Sequence, residues 1–208
     1  MKRVVIFDLG GVVFRWQPLA LIQQLFSTQI PHQAAAKQWA DQVFQGFAPG
    51  SDWAEFDLGQ IEPQDLATRI SQRTQFDVAD IELLIERIPP HLIPNEGTVE
   101  LIKQLKQAGN TLYYLSNMPA PYAQHLLKTN GFFEHFDDGI FSADVHEIKP
   151  NAAIFKIAQE RWTFASTPVF IDDVAHNIDS AKAQGWHGIQ FENPQQDTTE
   201  LLALNFKF

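Results

Sequence analysis

At 208 residues, 45% apolar and 19% charged, the chain has the size and composition of one large globular domain or of a core domain with a smaller insert. Its formal net charge of −10 argues against nucleic acid or an anionic membrane as partner, and the absence of cysteine excludes disulfides, thiolate zinc sites and thiol nucleophiles. No stretch approaches the apolar length of a membrane helix, and the first residues run into a strand without the zones of a signal peptide, so a cytoplasmic protein is expected.

The first element is Arg3-Val4-Val5-Ile6-Phe7, a continuous apolar run that reads as a parallel strand buried on both faces. It stops at Asp8-Leu9-Gly10-Gly11. A carboxylate at the carboxyl end of such a strand stands where open α/β sheets bind ligands, and glycine lets another molecule approach the backbone closely. The pattern then turns helical. Stretches 19–26, 34–44, 64–73 and 77–87 carry apolar residues at helical spacing, Pro89-Pro90 is expected to stop the last of them, and no strand is expected. Residues 16–89 therefore read as an all-helical insert.

From Gly97 onward helices and strands alternate. A helix over 98–108 closes at Gly109-Asn110, and a strand over 111–115 ends in Ser116-Asn117. A helix over 121–128 and a short strand over 139–141 lead to the polar loop Glu147-Ile148-Lys149-Pro150-Asn151. A helix over 151–161 precedes the strand 168–171, which ends in Asp172-Asp173, and a helix over 175–184 and a strand over 188–191 complete the set. This alternation predicts a parallel sheet covered by helices on both faces, an α/β core formed by residues 1–15 and 90–208.

Taken singly, the polar residues at these boundaries have plain readings: Asp8 as a cap for nearby amides, Asp173 as the N-cap of the helix after it, Lys149 as a solvated lysine. Adjacent carboxylates at a buried strand end are costly unless a cation compensates, however, and a carboxylate can act as a nucleophile toward a phosphoryl group. The order Asp8, Ser116-Asn117, Lys149, Asp172-Asp173, each at a strand end or loop, resembles that of the haloacid dehalogenase-like hydrolases, and the resemblance covers nearly the whole chain. It implies a Rossmann-like parallel-sheet core with the helical insert as a cap, and a small phosphorylated metabolite as substrate. Asp8 would be the nucleophile. Mg²⁺ would be held by Asp8, the Gly10 carbonyl and the acidic pair, with Asp173 the more direct ligand and Asp172 direct or through water. Ser116 and Asn117 would hold phosphate oxygens, the latter by a backbone or side-chain donor, and Lys149 would neutralise them. Asn177 would orient Lys149 or the acidic loop. His176 reads as a surface residue, and aromatics such as Trp16, Phe44, Phe47, Trp53 and Phe56 as core or lid. A monomer or homodimer is expected.

One position departs from the family pattern. The phosphatases it resembles mostly carry a second Asp two residues after the nucleophile, which protonates the leaving group; here that position is Gly10. General acid–base help is worth roughly 10²–10⁴ in rate. A phosphatase for acidic leaving groups, such as anomeric sugar phosphates, tolerates its loss, and some sugar-phosphate phosphatases of the superfamily carry a similar Asp-Leu-Gly motif. A 2-haloacid dehalogenase needs no acid, but it has no use for the acidic pair, and no Arg is a clear partner for a substrate carboxylate, Arg15 being the candidate just after the first strand. A non-catalytic binding protein of the same fold is the third reading. A sugar-phosphate phosphatase is the expectation carried forward.

Overall fold

The computed structural model describes residues 3–164 and 166–208. The first strand, β1 (Val4–Phe7), is buried along its whole length, with Val5 and Phe7 joining one apolar cluster and Val4 and Ile6 the other. That alternation is the pleat sending successive side chains to opposite faces of the sheet. The helical stretch holds α1 (Pro18–Leu25), α2 (Gln33–Phe44), α3 (Asp52–Asp57), α4 (Pro63–Thr74) and α5 (Val78–His91). After it come α6 (Glu96–Gln107), β2 (Thr111–Ser116), α7 (Ala120–Thr129), β3 (Asp138–Phe141) and the single turn α8 (Ser142–Val145). The chain finishes with α9 (Ala152–Trp162), β4 (Val169–Asp172), α10 (Ala175–Ala183), β5 (His187–Gln190) and α11 (Pro194–Ala203). No helix among the described residues is long and apolar enough to cross a membrane.

The five strands lie in the order β3-β2-β1-β4-β5, every neighbouring pair parallel. The chain steps outward from β1 to β3, then crosses to β4 on the other side. The β1/β4 gap is thus the topological switch point, where open sheets form a crevice at the carboxyl edge. Phe7 is in register with Tyr114 and Ile171, so Asp8, Ser116 and Asp172 emerge on that one edge. The expected α/β architecture, a parallel sheet with a long helical insertion after its first strand, is the one observed.

Pro89-Pro90 does not end its helix: α5 runs through both prolines to His91. An interior proline removes the donor to the carbonyl four residues back. For Pro89 that acceptor is Ile85, and the Tyr122 hydroxyl on α7 donates to it instead at 2.8 Å. A side chain 37 residues away thus overrides the local rule. Three helices went unread in the sequence, among them the single turn α8. α3 is only six residues long, and α11 buries just Asp197 and Leu201.

Asp197 lies fully buried, and neither carboxylate oxygen has a hydrogen-bond partner among the described residues. Burial, reinforced by Glu200, pushes its carboxyl up to about 7. The unfolded chain loses this proton near pH 4 and the folded chain keeps it to about 7, so the group's contribution to stability falls as pH rises through that window and is level above it. Asp197→Asn is expected to melt like the parent near pH 4 and to be the more stable protein above pH 7, by up to about 4 kcal/mol. Paired thermal melts across that range check it; a difference that does not grow with pH would exclude Asp197 as its source.

Candidate active site

Three chain segments converge at the switch point. Asp8 directly follows β1, Asp172 ends β4, and Lys149, on the loop between α8 and α9, places its ammonium between them at 2.8 Å from Asp8 Oδ1 and 2.7 Å from Asp172 Oδ2. All three side chains are buried. Burial acts to lower the pKa of the lysine, but Asp172 and Asp8 outweigh it and leave it raised. The Asp8 carboxyl is raised by burial and by repulsion from Asp172 and Asp173, against the pull of Lys149. Lys149 is held through its backbone as well: its N–H donates to Asn117 Oδ1 at 2.8 Å, and Asn117 Nδ2 donates to its carbonyl at 2.9 Å.

The acceptor positions of the carboxylates divide the labour. A carboxylate has about four lone-pair sites, and Asp172 accepts four hydrogen bonds on them from three donor groups. Its Oδ1 accepts from the Val174 N–H at 2.8 Å and Asn177 Nδ2 at 3.1 Å, and its Oδ2 from Asn177 Nδ2 at 3.0 Å and from Lys149. Asn177 thus orients the acidic loop, as one of its two expected roles required. Asp8 Oδ1 accepts from the Leu9 N–H at 2.7 Å and from Lys149, while its Oδ2 has no hydrogen-bond partner among the described residues. Asp173 is not an N-cap: that position falls to Val174, with no side-chain cap bond.

Oxygens of Asp8, Asp172 and Asp173 all lie within 4.8 Å of one another. Three carboxylates against one ammonium leave a negative excess, and burial and the neighbouring Asp172 raise the Asp173 carboxyl. Hard oxygen donors with such an excess fit a divalent cation of the Mg²⁺ type.

Ser116 is buried at the end of β2, beside the amino end of α7. The Asn117 side chain is committed to Lys149 at both ends, which leaves the backbone, of the two donors expected there, for any phosphate contact. His176 is exposed, as expected, and so is Arg15. Phe44, Trp53 and Phe56 are buried, while Phe47 is exposed.

Two neighbours escaped the sequence reading. Ser142 follows β3, and its hydroxyl accepts the Met118 N–H at 2.8 Å and donates to the carbonyl of Asp57 on α3. Asp57 itself is buried. Its backbone is held by a contact between residues 85 apart, which no local pattern announces.

A family model described as haloacid dehalogenase-like hydrolase matches residues 2–185. The chain is 25% identical over 204 residues to the sesquiterpene phosphatase astK of Aspergillus oryzae (strain ATCC 42149 / RIB 40), covering 97% of this chain and 96% of that protein. Among solved structures, the HAD family enzyme bt-2542 of Bacteroides thetaiotaomicron, in complex with magnesium and inorganic phosphate, aligns at a TM-score of 0.69 and 19% identity over 92% of this chain and 95% of its own. L-2-haloacid dehalogenase from Xanthobacter autotrophicus, with chloropropionic acid covalently bound, aligns at 0.66 and 14% identity over 100% of this chain and 85% of its own. The two structural likenesses show a shared fold.

Proposed function

The chain belongs to the haloacid dehalogenase-like hydrolases, and from that premise we propose that it is a Mg²⁺-dependent phosphatase of a small phosphorylated metabolite, acting through an aspartyl-phosphate on Asp8. The observation that carries the reading is the buried Asp8–Lys149–Asp172 chain with Asp173 beside it. Displacement of halide from carbon has no use for the third carboxylate, whereas phosphoryl transfer uses both a cation and a lysine to offset phosphate charge.

Asp8, Asp173 and the Gly10 carbonyl would hold the ion, with Asp172 reaching it through water because its own lone pairs are taken. When bound, Mg²⁺ supplies charge neutralisation at the transferred phosphoryl group. The chain does the rest. The Leu9 amide and Lys149 fix Asp8 by one oxygen and leave Oδ2 free to attack phosphorus. The Ser116 hydroxyl, the Asn117 backbone and the Lys149 ammonium would hold phosphate oxygens, with the amino end of α7 adding a favourable dipole. Residues 16–89 would act as a cap that excludes water during the first half-reaction. A sugar phosphate is the finer reading, supported by the missing side chain at Gly10. The name of the astK relative puts a sesquiterpene monophosphate beside it on the panel to be tested.

Phosphate release from hexose 1- and 6-phosphates and from a sesquiterpene monophosphate, with Mg²⁺ or with chelator, tests the proposal. Mg²⁺-dependent release from any of them is expected. Metal-independent halide release from 2-haloacids in its place, or no release at all, would overturn it.

Gly11 offers a separate check on the metal assignment. Its φ is +80°, and a Cβ there would stand 2.4 Å from Asp173 Oδ2. Gly11→Ala must therefore push the Asp173 carboxylate away, and Mg²⁺ affinity, followed by calorimetric titration, is expected to fall by roughly 10–100-fold. Unchanged affinity would remove Asp173 from the ligand set.

A further inference from the structure

Position 10 lacks a side chain without any structural need to lack one. The Gly10 φ lies outside the left-handed region, and a Cβ built there meets nothing within 4 Å. A side chain there, such as the acid the related phosphatases carry, would have room at its base. We propose that the Asp57 carboxyl on α3 fills that role, as proton donor to the leaving-group oxygen and then proton acceptor from the attacking water. The inference rests on the phosphatase reading above.

Asp57 is 6% exposed, and its carboxyl has no hydrogen-bond or ion-pair partner among the described residues. An unpartnered buried carboxyl is a cost to the fold, so stability does not account for it. The charges it feels most are those of the site: Lys149 and Asp8, while its own charge is felt by Tyr122 on α7. Burial pushes its carboxyl up to about 8, Lys149 drawing it down and Asp8 raising it, so it carries a proton at neutral pH.

The backbone around it is docked onto the core. The Asp57 carbonyl accepts the Ser142 hydroxyl, which in turn holds Met118, two residues beyond Ser116. The next carbonyl, Leu58, is 2.9 Å from His146 Nδ1. At Gly59, with φ at +67°, a Cβ would come within 3.1 Å of the Ala143 carbonyl, so the two backbones lie as close as glycine permits. Phe56 packs edge-on against Tyr122 at 5.5 Å. The carboxyl thus hangs from a segment fixed on both sides to the phosphate-loop wall.

The steps balance. As the Asp8 Oδ2–P bond forms, the P–O bond to the substrate breaks, and the proton on Asp57 passes to the departing oxygen to give a neutral alcohol. Water then gives a proton to the Asp57 carboxylate as its oxygen bonds to phosphorus and the Asp8–P bond breaks, releasing inorganic phosphate and restoring both carboxyls. With a donor in place, substrates whose leaving group is an ordinary alcohol come within reach, which widens the range beyond anomeric phosphates.

The test is leaving-group release in the first turnover, measured by rapid quench with a hexose 6-phosphate and by stopped flow with p-nitrophenyl phosphate. Nitrophenolate departs without a proton; the sugar alkoxide does not. In Asp57→Asn, first-turnover release of the sugar is expected to fall by roughly 10²–10⁴, and release of nitrophenolate by far less. The surviving nitrophenolate burst certifies that the variant is folded, and Asp57→Ala, run beside it, is expected to show the same selectivity. Equal losses for both leaving groups, or no loss for the sugar, would overturn the assignment. A parent enzyme that releases phosphate from none of the panel above and no nitrophenolate brings down the phosphatase reading itself, a failure visible before any variant is made.

Discussion

Asp8→Asn is expected to abolish turnover, by at least about 10⁴-fold, as removal of a nucleophile commonly does. An amide oxygen cannot form the mixed anhydride with phosphate through which the reaction is proposed to run. The substitution is nearly isosteric, and an asparagine Oδ1 can accept both bonds that Asp8 Oδ1 now accepts, from the Leu9 amide and Lys149. Lys149 also keeps Asp172. The loss should therefore appear with the fold intact, phosphate release vanishing while circular dichroism and the melting curve stay close to the parent. Turnover within tenfold of the parent would exclude Asp8 as the nucleophile.

Lys149→Met should damage both chemistry and stability. Its ammonium separates two buried carboxylates, with a third beside them. Methionine fills similar volume but leaves those carboxylates unpaired, and breaking a buried ion pair by removing one partner costs about 3–5 kcal/mol. For a chain of this size that corresponds to a fall in Tm of roughly 6–20 °C near neutral pH. Mg²⁺ is expected to restore part of it, so the Mg²⁺-induced rise in Tm should be larger in the variant than in the parent. Activity should fall by about 10³-fold, the scale on which fixed charges aimed at a transition state are worth. A variant as stable as the parent without Mg²⁺ would show that the lysine does not hold the carboxylates together.

The strands and the acidic residues at their ends were legible because their signals are local. A strand buried on both faces must be a continuous apolar run, and Asp8 and Asp172-Asp173 break such runs abruptly. The helical insertion was legible from periodicity in its longer helices, and missed in α3 because six residues do not complete two turns. Lys149 is different: nothing within ten residues of it distinguishes a buried bridging ammonium from a solvated one, and only convergence with β1 and β4 decides. Asp57 was illegible for the same reason in stronger form, since the hydroxyl that positions its backbone comes from Ser142 on the far side of the sequence. Pro89 shows the converse, a strong local signal cancelled by Tyr122 from another helix.

The Ser142 hydroxyl has one proton to give. It now goes to the Asp57 carbonyl, while the oxygen receives the Met118 amide. If α3 lifts away, that proton loses its acceptor and has the Met118 carbonyl, 3.5 Å off, as the next one in reach, while the Met118 N–H keeps its bond to the hydroxyl oxygen. One core hydroxyl thus answers both to α3 and to the loop that follows Ser116.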